Sequence, residues 1–158
     1  MSSGNRGDIH SPLILVVDDD DDTREICVMI LHRAGFRTAQ AENGAVAVER
    51  ALALAPDVII LDHLMPVMDG PEAARRLRAD ARTHHTPIVM MTGFGSATAR
   101  ERGGSASADC DAYLDKPSEP QQIVAALRAA LLLPAVRFVH AGALASVGPD
   151  AISTLAAP

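Results

Sequence analysis

The most constraining feature of this sequence is a short apolar run that ends in a carboxylate, Val58-Ile59-Ile60-Leu61-Asp62. Four consecutive apolar residues, most of them β-branched, are too few for a globular helix and predict a strand that is buried on both faces of a sheet. Open parallel sheets form their ligand crevices just beyond the carboxyl ends of their strands. Asp62 is therefore predicted to lie at a functional position.

Four other short segments are predicted to be strands, and segments with helical spacing alternate with them. The strands are predicted at 13–17, 36–41, 88–91 and 112–114, and the helices at 23–34, 44–55, 70–80, 97–104 and 119–133. The helix at 97–104 is predicted to be poor because Gly103 and Gly104 interrupt it. This alternation, with short loops, predicts an α/β domain with a five-stranded parallel sheet and helices on both faces.

The spacing of apolar residues assigns a buried face to two of the helices. In the first helix the apolar residues at helical spacing are Ile26, Met29, Ile30 and Ala34. Gly35 follows this helix and suits the left-handed position that often ends one. In the third helix Leu77 is predicted to face the core, while the arginines at 75, 76 and 78 are predicted to face solvent.

Composition and charge limit the classes of function. Lys and Arg total 14 against 20 for Asp and Glu, and the net charge of −6 opposes binding to nucleic acid. Cys27 and Cys110 lack the spacing of metal ligands and are predicted to be small apolar residues of a protein in a reducing compartment. No segment has the pattern of a signal peptide or a membrane span. We expect a cytoplasmic protein with neither nucleic acid nor membrane as a partner.

Polar side chains of complementary chemistry are predicted to meet at the carboxyl edge of the sheet, because all parallel strands end there. They are Asp18, Asp19, Asp62, Thr92 and Lys116. A carboxylate can attack phosphorus when a divalent cation and a lysine neutralise the incoming phosphoryl charge. We therefore predict Asp62 as the nucleophile, and Mg²⁺, which prefers oxygen ligands, as the cation.

Four motifs occur in order at the predicted strand ends. They are Val16-Val17-Asp18-Asp19, Asp62 with Met65-Pro66 and Asp69-Gly70, Thr92, and Lys116-Pro117. Together they resemble the receiver domain of two-component response regulators, over residues 12–133. The resemblance implies a doubly wound, flavodoxin-like fold. It also implies a phosphoacceptor signalling protein, which catalyses its own phosphorylation and dephosphorylation and is not otherwise an enzyme.

The resemblance assigns roles to the residues around the nucleophile. Asp62 would accept a phosphoryl group from a phosphohistidine donor. Lys116 would pair with Asp62 at rest and with a phosphate oxygen afterwards. Mg²⁺ would be held by Asp19, Asp62 and the backbone carbonyl of Leu64, and Asp18 would contribute to the metal site through water.

The resemblance also implies a conformational switch and the partners that use it. Thr92 would move toward the phosphate and Tyr113 would follow it inward. This change would remodel the face made by the fourth predicted helix, the fifth strand and the last helix, which a downstream protein would bind. A sensor histidine kinase or a histidine phosphotransfer protein would supply the phosphoryl group. A cis peptide bond before Pro117 would aim the lysine inward, and self-association is left open.

The domain organisation follows from these element limits. We expect a flexible arm at 1–11, the receiver domain at 12–133 and a C-terminal tail at 134–158, whose structure the sequence does not decide. The tail is short for an output domain and carries one Arg and no Lys. A stand-alone receiver is therefore expected, acting through a bound partner or a phosphorelay.

Two other functions fit parts of the sequence. Asp19-Asp20-Asp21-Asp22-Thr23 matches the Asp-x-Asp-x-Thr pattern of haloacid-dehalogenase-like phosphatases, with Asp19 as the nucleophile. Such an enzyme also needs a cap for its substrate and a later acidic metal pair, and neither is found. The second alternative is a receiver-like interaction module that is never phosphorylated. The complete set of acidic, hydroxyl and lysine residues argues against this alternative.

Overall fold

The computed structural model describes residues 10–93 and 109–133 of the 158-residue chain. Its elements are β1 (Leu13–Val17), α1 (Asp21–Arg33), β2 (Arg37–Ala41), α2 (Gly44–Leu54), β3 (Val58–Asp62), α3 (Gly70–Ala79), β4 (Ile88–Thr92), β5 (Ala112–Asp115) and α4 (Pro120–Leu131). All five predicted strands and four of the five predicted helices are present. The helix predicted at 97–104, most of the arm and the tail at 134–158 lie outside the described residues.

The five strands form one parallel sheet in the order β2-β1-β3-β4-β5. Strands β3 and β4 are buried at all five of their positions, as expected for parallel strands that are covered on both faces. The predicted fold class is confirmed. Because every strand runs in the same direction, Val17, Asp62, Thr92 and Asp115 end their strands at the same edge of the sheet.

Two hydrophobic cores cover the two faces of the sheet. Helices α2 and α3 pack on one face, mostly through alanines, and α1 and α4 pack on the other. The buried helix residues of the first core are Ala47, Ala51, Ala73, Ala74 and Leu77, and those of the second are Cys27, Leu31, Ile123, Leu127 and Ala130. Alternate residues of each inner strand therefore belong to different cores.

The predicted apolar face of α1 is partly wrong. Ile26 and Met29 are 58% and 54% exposed, whereas Cys27 and Leu31 are buried. Residues 26–31 are all apolar, so their spacing does not define one helix face, and contacts with the sheet and α4 determine which side is buried. The prediction for Gly35 is confirmed, because this residue has φ +90° immediately after the helix.

The prediction that Arg78 faces solvent is also wrong, because its side chain is only 11% exposed. It donates hydrogen bonds at 2.6–3.1 Å to the backbone carbonyls of His84, Thr86 and Asp109 and to the carboxylate of Asp111, which also accepts from Ile88 N. Helical spacing places the Cα of Arg78 near the surface. Its long side chain then reaches back to the amino ends of β4 and β5.

Both cysteines are free and buried, one in each core, in agreement with their predicted apolar character. Burial raises the pKa of the Cys27 thiol, and likewise that of Cys110, to about 11. Among the described residues, no helix combines the length and the apolar character that crossing a membrane requires.

Candidate functional site

The turn from β1 to α1 holds the first acidic residue of the site in a fixed position. The Asp18 N–H donates to the carbonyl of Ala41 at 3.2 Å, and its carboxylate Oδ1 accepts from the N–H of Asp20 at 2.9 Å. Asp20 is the N-cap of α1, and its carboxylate accepts from Thr23 N at 2.7 Å. Hydrogen bonds from the backbone N–H and the side chain of Thr23 lower the pKa of Asp20, and the nearby charges of Lys116 and Arg24 add to this effect. The acidic run after β1 thus supplies the N-cap of α1.

Lys116 contacts two acidic residues of the site that follow different strands. Its Nζ lies 3.0 Å from Oδ1 of Asp62, as predicted, and 2.5 Å from Oδ2 of Asp18, a contact that the sequence did not predict. Strands β3 and β4 separate β1 from β5, so only a long side chain can reach Asp18 from the end of β5. The Lys116–Pro117 peptide bond is cis, which confirms the expectation for this bond.

Burial and neighbouring charges shift the pKa values of Asp62 and Lys116. Burial raises the pKa of Asp62, the hydrogen bond from Lys116 opposes that rise, and the charges of Asp18 and Asp19 add to it. Burial of Lys116 by itself would lower its pKa, but hydrogen bonds to Asp18 and Asp62 outweigh burial and raise it. Lys116 is therefore a firmly charged ammonium at neutral pH.

Three carboxylates lie together, and they differ in the hydrogen bonds that they already accept. Ligand oxygens of Asp18, Asp19 and Asp62 all lie within 4.8 Å of one another. Both oxygens of Asp18 already accept hydrogen bonds, whereas Asp19 is exposed and its carboxylate accepts none from the residues that the structure describes. Three carboxylates against one ammonium leave two negative charges uncompensated. Hard oxygen ligands and this excess charge fit a divalent cation such as Mg²⁺.

Backbone contacts at two glycines fix the loop between β3 and α3, which carries Leu64. A Cβ at Gly70 would collide with the carbonyl oxygen of Asp62, and a Cβ at Gly44 would lie 2.6 Å from the carbonyl oxygen of Met68. The Gly44 N–H donates to this Met68 carbonyl at 3.0 Å. Only glycine permits both approaches. The ends of the loop are therefore held without its side chains.

Two apolar side chains of the same loop are exposed. Leu64 is 74% exposed and Val67 is 84% exposed. Val67 has φ +69°, a left-handed conformation that is unfavourable for a β-branched residue. Such strain often occurs at functional sites. The loop beside Asp62 thus combines exposed apolar side chains with strained backbone.

Thr92 lies at the end of β4, where only 2% of its surface is exposed. Its hydroxyl donates to the carboxylate of Asp115 at 3.3 Å and to the carbonyl of Leu114 at 3.5 Å, both long for such a bond. Thr92 and Asp115 are direct partners in the β4–β5 register, and Tyr113 is two residues before Asp115. Thr92 and Tyr113 therefore lie on the same face of the sheet, where Tyr113 packs against the core that α2 and α3 cover.

Comparison with known proteins identifies the family. Residues 14–128 match the family model described as the response regulator receiver domain. This chain belongs to that family. Receiver domains of solved structure share its fold. One is chemotaxis response regulator CheY4 of Vibrio cholerae, which is 30% identical with a TM-score of 0.69, and the match covers 76% of this chain and 98% of CheY4.

Another solved structure is the receiver domain of sensor histidine kinase PA1611 from Pseudomonas aeruginosa, with a magnesium ion coordinated in its active-site cleft. This receiver domain is 27% identical with a TM-score of 0.70, and the match covers 77% of this chain and 98% of that domain. Thr92, Lys116 and the three carboxylates lie at the carboxyl edge of this shared fold.

Curated relatives include longer transcriptional regulators. The phosphate regulon transcriptional regulatory protein PhoB of Pseudomonas aeruginosa is 39% identical over 122 residues, which are 75% of this chain and 51% of PhoB. The DNA-binding regulator RpaA of Synechocystis is 36% identical over 120 residues, which are 76% of this chain and 49% of RpaA. The chain thus spans about half the length of these relatives.

Sequence reasoning missed one residue of the receiver site, Arg24. Its Nη1 donates to the carbonyl of Asp18 at 2.7 Å, its Nε to the side chain of Gln40 at 3.1 Å, and its Nη2 pairs with Asp21. The available signal was a single basic residue directly after a run of five aspartates and a threonine. A solvent-exposed ion pair on the helix would give the same pattern, so the sequence did not distinguish them.

Proposed function

We propose that this receiver domain accepts a phosphoryl group on Asp62 from a phosphohistidine donor, in a Mg²⁺-dependent reaction, and signals through a conformational change that a partner protein recognises. One observation carries the proposal. The ammonium of Lys116 is held 3.0 Å from Asp62 beside an excess of carboxylate charge. An acceptor carboxylate, a fixed cation and an oxygen-rich metal site are the parts that this reaction needs.

Asp19 and Asp62 would hold Mg²⁺ directly, with the backbone carbonyl of Leu64 as a third protein ligand. Asp18 would contribute through water, because both of its carboxylate oxygens already accept hydrogen bonds. When bound, Mg²⁺ neutralises charge on the acceptor and on the incoming phosphoryl group. The magnesium ion in the PA1611 receiver domain supports this assignment by analogy.

The chemical step forms one bond and breaks one. An oxygen of Asp62 attacks phosphorus in line with the phosphorus–nitrogen bond of the donor, and the electron pair of that bond returns to the imidazole nitrogen. Lys116 compensates charge on the transferred group without giving up its proton, since contact with carboxylates raises its pKa. Asp62 acts as an ionised carboxylate, and the product is an acyl phosphate.

The signal would begin at Thr92. Its hydroxyl would leave the two long contacts with β5 and donate to a phosphate oxygen, and Tyr113 would follow inward on the same face of the sheet. The weak resting contacts of 3.3 and 3.5 Å favour such an exchange, because little hydrogen-bond energy is lost. A downstream protein would bind the face that includes β5 and α4; the fourth predicted helix, expected to belong to it, lies outside the described residues.

The donor would be a sensor histidine kinase or a histidine phosphotransfer protein, as the receiver family favours. The two free cysteines fit the reducing environment of the cytoplasm. The downstream partner cannot be carried over from PhoB or RpaA, because these regulators are about twice as long as the region that matches this chain. The self-catalysed phosphorylation and dephosphorylation of Asp62 would be the only chemistry of this domain.

The alternative functions have less support. In a phosphatase of the Asp-x-Asp-x-Thr type, Asp21 would act beside Asp19, but Asp21 is 80% exposed, begins α1 and pairs with Arg24. A receiver-like module that is never phosphorylated would not need Lys116 held between two carboxylates.

The test uses a small acyl-phosphate donor with and without Mg²⁺. We expect intact-mass analysis to show one added phosphoryl group only with Mg²⁺, and none on Asp62→Asn. Asp69→Asn is the matched control and should label normally, because Asn replaces Asp well at this exposed N-cap of α3. Catalytic release of phosphate from varied esters would support the phosphatase instead, and no reaction at all would support the inert module.

A further inference from the structure

Arg24 is a largely buried arginine whose guanidinium joins three elements. Its side chain is 13% exposed, although it lies in the first turns of a surface helix. It donates to the Asp18 carbonyl at the end of β1, to Gln40 in β2 and to Asp21 at the start of α1. A planar guanidinium can satisfy three acceptors in fixed directions, which a lysine ammonium on a flexible stem does less well.

The contact with the Asp18 carbonyl is the important one for the site. Asp18 is held at its N–H by Ala41, at its carboxylate by Asp20 and Lys116, and at its carbonyl by Arg24 at 2.7 Å. The carbonyl of Asp18 belongs to the peptide unit that leads into Asp19. The orientation of this peptide unit therefore sets the direction of the backbone at Asp19, and with it the position of the Asp19 side chain.

Asp19 depends on its backbone for its position. Its side chain is exposed and accepts no hydrogen bond from the described part of the chain, unlike the carboxylates of Asp18 and Asp62. We propose that Arg24 is a positioning residue for the divalent-cation site, acting through the Asp18 carbonyl to place the Asp19 carboxylate beside Asp62. This inference rests on the proposed function, because it presumes that the carboxylate cluster binds Mg²⁺.

Charge and positioning make opposite predictions for Arg24. Its positive charge lies close to an acidic cluster, so its removal by itself would leave the site more negative and would strengthen Mg²⁺ binding. Loss of a group that orients a ligand weakens metal binding, typically by about 10- to 100-fold. The sign of the change in Mg²⁺ affinity therefore separates the two effects.

The test measures the Mg²⁺ dissociation constant by calorimetry, and the Mg²⁺-dependent rise in Tm, for the full chain and its variants. For Arg24→Gln we expect about 10-fold weaker Mg²⁺ binding, with a smaller rise in Tm. Arg24→Lys keeps the charge and loses the planar fork, so it should bind Mg²⁺ more weakly than the parent. Arg75→Gln removes an exposed arginine that pairs with Glu72 and should leave Mg²⁺ affinity unchanged.

Gln40→Ala provides a test without a charge change, because it removes the acceptor of the Arg24 Nε only. We expect a few-fold weaker Mg²⁺ binding, and this variant and Arg24→Lys carry the test if Arg24→Gln does not fold. A purely structural role would lower Tm by the same amount with and without Mg²⁺ and leave the dissociation constant unchanged. That result, or tighter binding by Arg24→Gln, would overturn the proposal. No Mg²⁺ binding by the parent chain would instead refute the proposed function together with the inference.

Discussion

At the amino edge of the sheet Arg78 meets the carboxylate of Asp111, whereas at the carboxyl edge Lys116 meets the carboxylates of Asp18 and Asp62. In both clusters the paired carboxylates are largely buried, and both clusters join segments that are distant in sequence. The amino-edge pair is balanced in charge, and Arg78 also satisfies backbone carbonyls there. The carboxyl-edge cluster has an excess of negative charge.

This difference separates stability from function within one fold. At the amino edge, the charge-balanced pair of Arg78 and Asp111 holds the starts of β4 and β5 in place. Charge imbalance at the carboxyl edge is expected to cost free energy in the resting domain and to favour the binding of a cation. Variants at the two edges should therefore respond differently to Mg²⁺.

The largest effect is expected at the amino edge. Arg78→Gln removes the arginine that pairs with the largely buried Asp111 carboxylate, and we expect a loss of roughly 3 kcal/mol in the free energy of unfolding. This loss corresponds to a fall in Tm of roughly 12 °C, measured by thermal unfolding. The Mg²⁺-dependent rise in Tm should be unchanged. Arg75→Gln, in an exposed pair with Glu72, should cost less than about 1 kcal/mol, and an equal cost for both variants would contradict the comparison.

The next effect is expected at the carboxyl edge. Mg²⁺ at about 100 times its dissociation constant should stabilise the parent chain by roughly 2.7 kcal/mol. Asp62→Asn removes a buried charge that two neighbouring carboxylates repel, so we expect its Tm without Mg²⁺ to rise by a few degrees and its response to Mg²⁺ to disappear. Calorimetric unfolding with and without Mg²⁺ measures both changes. A lower Tm for Asp62→Asn without Mg²⁺ would mean that the Lys116 pair outweighs the repulsion.

A smaller effect is expected at Val67, where the carboxyl edge carries backbone strain. Asn tolerates the left-handed conformation better than a β-branched residue, so Val67→Asn should stabilise the chain by about 1 kcal/mol. Urea unfolding measures the change. Leu64→Asn is the matched control, because it makes the same kind of substitution in this loop at a residue without positive φ, and its stability should change little. Equal effects at both positions would point to solvation instead of strain.

The smallest effect concerns an exposed ion pair near the amino edge. Three hydrogen bonds from Arg82 lower the pKa of Asp80 to about 2 from its ordinary value of 3.8. A lowered folded-state pKa stabilises the folded chain above the unfolded value, and this contribution is lost as the pH falls from about 4 toward 2. An NMR titration of the Asp80 carboxyl should give a midpoint near 2, and Arg82→Gln should return it toward 3.8. An unshifted midpoint in the parent would disprove the assignment.

The sequence was sufficient to predict the sheet and to place Asp62, Thr92 and Lys116 together at its carboxyl edge. Short, fully apolar strands leave few alternatives to a covered parallel sheet, and such a sheet brings the carboxyl ends of its strands together. This is why Asp62, Thr92 and Lys116 were found without knowledge of any contact. Their convergence follows from strand direction alone.

Beyond the Lys116–Asp62 pair, individual side-chain partners were not predictable from the sequence. Lys116 and Asp18 are 98 residues apart and separated by two strands, so no local pattern connects them. Helical spacing locates the Cα of Arg78 but not the end of its long side chain. In α1 the apolar run is unbroken, so periodicity could not tell whether Ile26 or Cys27 is buried. Packing against the rest of the domain decides this. These contacts depend on three-dimensional distances that periodicity does not contain.

The burial of both cysteines has a practical consequence for spectroscopy. The chain has no Trp and one Tyr, so it offers little intrinsic fluorescence, but its only two thiols are buried with pKa values of about 11 and react slowly with maleimides. Leu64→Cys would introduce an exposed thiol two residues after Asp62 without removing a native cysteine. A dye attached there would lie beside Asp62 and would test directly for events at this proposed phosphoacceptor.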